Sequence, residues 1–283
     1  RQDLDSSLDL STIFKNAEYV FHLAAQPGVR ASWGKEFTIY IKNNISVTQK
    51  ILESLKNNTR LKKFVLASSS SVYGNQSNIM NEETSLTRPV SPYGVTKLAA
   101  ENLILKNVTD ALSVRPRAIY GPGDTVLLPR LLRAARNGML PQIIRSDGLS
   151  PRSDLIYIGN LVNILEAAID KNLSGVINVT DNNTVNTDEL LSDIFKRLNY
   201  RKPRFNLSVN TAMKLAETAE FLSKTLAGWK EPPITQFGVS ALVHRKTFNV
   251  EKMLNVFGAP KYTTKEGVNA FIKWYKNDNK IGS

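Results

Sequence analysis

Tyr93-Gly-Val-Thr-Lys97 sets a tyrosine and a lysine four positions apart, one turn along a helix and on the same face. A free phenol titrates near ~10, too high for a proton acceptor at neutral pH. An ammonium group beside it favours the phenolate and lowers that value. Upstream, the run Ser68–Ser71 follows the apolar stretch Lys63–Ala67. Ser69 lies just past the end of that stretch, where open α/β sheets bind ligands. Its hydroxyl could hold a carbonyl or alcohol oxygen beside the tyrosine. By itself the Tyr-x-x-x-Lys spacing is equally met in an exposed helix pair. Simple turn chemistry accounts for Ser68 and Ser70, and Ser71 is the one of these a substrate could touch.

The elements that must position this set alternate along the chain. Glu18–Ala24 is a short apolar run rich in strand formers, and Lys35–Lys56 carries apolar residues at helical spacing. Lys63–Ala67 reads as a second strand. Pro92–Lys106 reads as a helix with proline in its first turn and Ser91 as its cap, and Ala111–Arg115 as a third strand. Strand–helix alternation implies a parallel sheet covered on both faces. The expected fold is therefore α/β, a Rossmann-like doubly wound parallel sheet.

Beyond Gly121 the texture changes to a smaller mixed α/β lobe. Helices are expected at Val126–Asn137, Asn160–Asp170, Thr187–Leu198, Thr211–Leu226, Val250–Phe257 and Thr264–Tyr275. Strands are expected near Gln142–Ile144, Asp154–Ile158 and Val176–Val179. This divides the chain into a dinucleotide-binding domain at 1–120 and a mainly substrate-binding lobe at 121–283, with some segments returning to the main sheet.

Composition narrows the function classes. The 283 residues are 42% hydrophobic and 22% charged, enough to bury a substantial core. The absence of cysteine excludes a disulfide framework and a thiolate nucleophile, and agrees with a cytoplasmic location. No apolar run approaches the ~18 residues of a membrane span, and no signal peptide is visible. The +12 formal charge is dispersed rather than gathered in a Lys/Arg block, which favours an enzyme handling anionic nucleotides over a nucleic-acid binder. His22 and His244 each lack a suitably spaced second ligand, so no metal is expected and His22 reads as structural.

Four stretches carry a resemblance: Val20–Gln26 (VFHLAAQ), Ser68–Gly74 (SSSSVYG), Ser91–Glu101 (SPYGVTKLAAE) and Val114–Asp124 (VRPRAIYGPGD). Their order resembles that of extended short-chain dehydrogenases/reductases, the NAD-dependent epimerase/dehydratase family. The resemblance implies Ser69, Tyr93 and Lys97 as the catalytic set and NAD or NADP as cofactor. It implies that Ala24, Ala25 and Gln26 border the cofactor, that Asn44 supports the loop beside it, and that Pro116 packs on the nicotinamide. Asp3 and Leu4 look like the acidic–apolar pair that contacts adenine, and Lys97 would also reach the nicotinamide ribose.

Three departures matter. The family's glycine-rich turn, which lets backbone approach the pyrophosphate, is not found before Gly28, so an N-terminal glycine-rich βα unit is expected to be missing. Ala118 stands where many nucleotide-sugar epimerases carry Asn, and Ser153 where they carry Arg, with Arg152 one position off. Those family residues hold a substrate diphosphate. The second half resembles instead the 3β-hydroxysteroid dehydrogenase-like branch, through Arg115–Asp124 running into Leu127–Arg133, Glu231–Thr235, Thr247–Lys252 and Ser32-Trp33-Gly34.

The expected function is hydride transfer between nicotinamide and a secondary alcohol or ketone of a small, apolar-leaning substrate. The alternatives are a nucleotide-sugar 4-epimerase or dehydratase with tightly bound NAD, and a non-catalytic nucleotide-binding protein. The partner is then a small molecule, with neither nucleic acid nor membrane insertion expected and a homodimer left open. The face of Thr211–Leu226 bearing Ala212, Leu215, Ala216, Phe221 and Leu222 reads either as core or as lining or lidding an apolar substrate site, with Pro232-Pro233 as one end of a hinge.

Overall fold

Alternate residues of a strand face opposite ways, and Lys63–Ala67 has apolar side chains on both faces. Phe64 and Leu66 join one core cluster, with Val20, Ile51, Leu55, Ala100 and Ile104. Val65 joins the other, with Leu112, Val114, Ile177, Leu161, Ile164 and Met253. A strand buried on both faces belongs inside a helix-covered parallel sheet. In the computed structural model, which describes residues 4, 9–29, 37–74, 79–136, 140–148, 151–200, 205–225, 234–243 and 245–281, it is indeed an inner strand.

The main sheet consists of β1 (Tyr19–His22), β2 (Lys63–Ala67), β3 (Ala111–Pro116) and β8 (Gly175–Val179), in the order β1-β2-β3-β8, all parallel. The short helix α1 (Ser11–Phe14) precedes it. One face is covered by α3 (Val47–Leu55) and α4 (Pro92–Asn107), the other by α6 (Ile158–Ala167) and α10 (Glu251–Phe257). Each Leu or Ile so buried contributes about 1.5–3 kcal/mol. Among the described residues β1 stands at the edge of this sheet, with Tyr19 and Phe21 exposed on the face away from α3.

The second half adds β4 (Ile119–Tyr120), α5 (Leu128–Arg136), β5 (Gln142–Ile144), β6 (Arg152–Ser153) and β7 (Ile156–Tyr157). β9 (Val185–Asn186), α7 (Thr187–Arg197), β10 (Asn206–Ser208), α8 (Val209–Thr225), α9 (Gln236–Val243) and α11 (Thr264–Ile281) complete it. The small sheets pair β10 with β5, β4 with β7 and β6 with β9. Helices α5, α7 and α11 share a core around Leu132, Ile194 and Phe271. α8 and α9 share another around Ala212, Ala216, Val239 and Val243.

Several expectations shift. The helix expected over 35–56 is interrupted: α2 (Phe37–Tyr40) runs into a π-helical stretch, Ile41–Ser46, before α3 begins. Such wide turns recur at functional sites, and this one carries Asn44. The strand expected at Asp154–Ile158 shortens to β7, because Ile158 already opens α6. β9, β10 and α9 were not expected; the strands are too short for periodicity to show, and α9 is apolar nearly all round. Among the described residues no helix is long and apolar enough to cross a membrane.

Candidate active site

Helix α4 begins where the Ser91 hydroxyl accepts a hydrogen bond from the Gly94 amide at 3.1 Å, with Pro92 in the first turn. The start of this helix lies against the serine turn that follows β2. A Cβ at Gly94 would come within 2.7 Å of the Ser71 carbonyl oxygen, so only glycine permits the approach. At the far end of that turn Gly74 has φ +72°, a left-handed conformation that glycine adopts without penalty. These two glycines seat Tyr93 against Ser69.

The Ser69 hydroxyl lies close enough to the Tyr93 phenol to favour its phenolate, and it accepts from the Ser71 amide at 3.1 Å. Tyr40 meets the Tyr93 ring edge-on, with centroids 6.3 Å apart. Burial pushes the Tyr93 phenol above its ordinary pKa, and the Ser69 hydroxyl pulls in the other direction. This corrects the expectation from spacing alone that the lysine would lower it: desolvation of the phenolate outweighs the help available. Lys97, one turn on, is buried, and burial draws its ammonium down to about 8 against the opposing attraction of Glu101.

A hydrogen-bonded chain ties the loop after β1 to this helix. The Gln26 amide donates to Asn44 Oδ1 at 2.7 Å, and Asn44 Nδ2 donates to Thr96 Oγ1 at 3.0 Å. The Thr96 hydroxyl in turn donates to the Tyr93 carbonyl at 2.9 Å. The Tyr40 hydroxyl bonds the carbonyls of Pro27 and Gly28 at 3.0 and 2.8 Å. Ala24 is exposed, and Ala25 and Gln26 are half-buried. Pro116 is buried at the end of β3. Leu4 packs on the cluster of Val20 and Ile51, whereas Asp3 lies outside the described residues.

Behind the lysine, Glu101 receives the Ser113 hydroxyl at 2.6 Å and Arg115 Nε at 3.0 Å, and also pairs with Arg115 Nη2. Arg115 continues to the Tyr73 hydroxyl at 2.7 Å, which donates to Asn178 at 2.9 Å. Spacing could have found Glu101, four residues after Lys97 on one helix face. Thr96 and Tyr40 gave no such signal. His22 is structural as expected: its Nε2 meets the Thr48 hydroxyl at 2.9 Å, and burial, with Lys97 adding, lowers its pKa to about 4. Among the described residues no group of metal-ligating side chains converges; His244 lies outside them.

Beside the serine turn is a cavity lined by Ser70, Ser71, Ser91, Met80, Phe248, Arg117 and Lys246, among others. Arg117 donates to the Ser153 hydroxyl at 3.0 Å. Of the apolar residues of α8, Ala212 and Ala216 pack against α9, while Leu215, Phe221 and Leu222 are exposed. None lines this cavity. Ser32-Trp33-Gly34 and Pro232-Pro233 fall outside the described residues.

The model of the NAD dependent epimerase/dehydratase family matches residues 1–180. An uncharacterised UDP-glucose epimerase of Bacillus subtilis is 37% identical over 169 residues, covering 58% of this chain and 52% of its own. A human sterol-4-alpha-carboxylate 3-dehydrogenase, decarboxylating, is 31% identical over 220 residues, covering 72% of this chain and 57% of its own. The chain thus spans little more than half the length of these relatives. The solved structure of MoeE5 in complex with UDP-glucose and NAD superposes with a TM-score of 0.74 at 30% identity, covering 99% of this chain and 85% of that one.

Proposed function

Because the chain belongs to the NAD dependent epimerase/dehydratase family, we propose that it transfers hydride between a nicotinamide dinucleotide and a secondary alcohol or ketone, with Ser69, Tyr93 and Lys97 as the catalytic set. The juxtaposition of the Ser69 hydroxyl and the Tyr93 phenol, with Lys97 one helical turn on, carries this reading. It sets two hydroxyls where one substrate oxygen could meet both.

NAD or NADP fits the donor set at the carboxyl ends of β1, β2 and β3. Lys97 would hold the nicotinamide ribose hydroxyls, Pro116 would pack on the ring, and the Ala24–Gln26 loop, fastened by Asn44, would border the rest, with Leu4 and Asp3 toward adenine. When bound, the dinucleotide supplies the hydride acceptor or donor. Tyr93 exchanges the proton at the substrate oxygen, and Ser69 holds that oxygen in line. A phenol kept above its ordinary pKa by burial is rarely ionised at neutral pH, so the ammonium of Lys97 would be needed to favour the phenolate. Residues 1–120 form the dinucleotide-binding domain and 121–283 mainly the substrate lobe, from which β8 returns to the main sheet.

A second reading, a nucleotide-sugar epimerase, is favoured by the likeness to MoeE5, a structure holding UDP-glucose and NAD. It is opposed by Ala118 and Ser153, which lack the diphosphate-holding side chains of that class. The two differ in whether the cofactor is turned over. The test incubates the protein with NAD and NADP and a panel of cyclic ketones, secondary alcohols and UDP-glucose. Net nicotinamide oxidation or reduction supports the dehydrogenase, and sugar inversion without net change supports the epimerase. In either case Tyr93→Phe is expected to lower turnover by about 10²–10⁴. Turnover equal to the parent enzyme refutes the catalytic set.

A further inference from the structure

Two basic side chains far apart in sequence share one cavity wall. Arg117 follows β3, while Lys246 lies in an extended segment whose amide donates to the Arg152 carbonyl at 3.0 Å. The cavity is lined as well by the apolar Met80 and Phe248 and by the hydroxyl-bearing Ser70, Ser71 and Ser91. Ser70 is the chain neighbour of Ser69, and Ser91 lies two residues before Tyr93, so the cavity shares the serine turn and the start of α4 with the proposed catalytic set.

The guanidinium is only partly satisfied. One of its nitrogens donates to Ser153, and its Nε is buried without a hydrogen-bond partner. The nearby carboxylate, Asp154, is committed elsewhere: Oδ1 accepts from the Thr184 hydroxyl and Oδ2 from the Phe248 amide at 2.8 Å. Arg117 and Arg245 act on this one carboxylate, while Lys246 Nζ donates to the Gly74 carbonyl at 3.4 Å, so cations outnumber carboxylates around the cavity. Burial draws Arg117 to about 10 and, with repulsion from Arg117, draws Lys246 to about 8. Both cations are therefore held at a cost that an incoming anion would offset.

We propose that this cavity binds a carboxylate of the substrate, with the Arg117 guanidinium and the Lys246 ammonium as its recognition groups and the serine hydroxyls as additional donors. The proposal rests on the reading that Ser69 and Tyr93 hold the reacting oxygen, and it narrows the substrate class to hydroxy or keto compounds bearing a nearby carboxylate. The planar fork of an arginine suits a carboxylate. A doubly charged phosphoryl group would bring more negative charge than the wall offsets.

The test uses binding rather than turnover. Lysines are reductively ¹³C-methylated, and the Lys246 resonance is identified by its loss in Lys246→Arg. Acetate is the probe, acetamide its neutral counterpart, and sulfate and phosphate the competing anions. Acetate is expected to move the Lys246 signal saturably with a Kd of about 1–10 mM, within reach of a four-atom ligand. Arg117→Gln should weaken this by about ten- to hundredfold, and acetamide should leave the signal still. No saturable shift in the unmutated protein by about 100 mM acetate overturns the proposal, as does equal or tighter binding of sulfate or phosphate. Saturable acetate binding together with normal turnover of Tyr93→Phe would leave the anion site standing and refute the catalytic reading. The reverse pattern would refute the anion site alone.

Discussion

Replacing Glu101 by glutamine tests how the buried interior behind Lys97 supports the site. Glu101 and Arg115 are 1% and 4% exposed, and the carboxylate accepts from Ser113 at 2.6 Å and from Arg115 Nε at 3.0 Å besides its second contact with the guanidinium. Glutamine keeps the shape but leaves a buried guanidinium uncompensated and turns one accepting oxygen into a donor. Removing one partner of such a pair costs about 3–5 kcal/mol. At ~2–4 °C per kcal/mol for a chain somewhat smaller than this, the melting midpoint should fall by roughly 10 °C. The same change removes the attraction that holds Lys97 up at about 8. At that value the ammonium outnumbers the amine by about ten to one at neutral pH, and without Glu101 the ratio shrinks. Thermal denaturation by circular dichroism measures the first effect, and the alkaline limb of dinucleotide binding, moving toward lower pH, measures the second. A midpoint within about 2 °C of the parent together with an unmoved limb would refute the argument. A lower midpoint with an unmoved limb would mean that Glu101 serves stability alone.

Two further predictions are independent of this one. His22 has a folded-state pKa of about 4, below its usual 6.5; the unfolded chain therefore takes up the proton first, and stability falls as pH drops from 6.5 to 4, by about 3 kcal/mol in all. His22→Gln, which can still reach Thr48, should flatten that part of the urea-derived stability profile, and an unchanged slope would show that other groups set it. Ala118 has φ +44°, a left-handed conformation that costs a residue with a Cβ about 1–2 kcal/mol. Ala118→Gly should relieve it at some cost in unfolded-chain entropy, for a net gain of about 0.5–1 kcal/mol, and a lower melting midpoint would show that packing of the Ala118 methyl outweighs the strain.

Local chemistry made much of this protein legible from its residues alone. Lys63–Ala67 and Gln142–Ile144 are strands with the bounds that their sequence implies. Ser91 caps α4 because a short hydroxyl before Pro92 has a free amide to take. The family match rests on motifs that are contiguous in the chain. Tyr93 and Lys97 share a face because helical spacing requires it.

What the tertiary structure decided depends on which groups meet across the fold and how much water they lose. Spacing put a cation beside Tyr93 and so implied a lowered phenol pKa, but desolvation, which no local pattern records, raises it. The π-helical turn that places Asn44 between Gln26 and Thr96 depends on contacts with α4 and the loop after β1. Periodicity gave α8 an apolar face but could not say that Ala212 and Ala216 would be covered while Phe221 stays exposed. Arg117 and Lys246 share a cavity because the extended segment at Lys246–Phe248 lies between Met80 on one side and Arg152–Asp154 on the other. That pairing is set by backbone hydrogen bonds between distant parts of the chain, and no interval along the sequence encodes it.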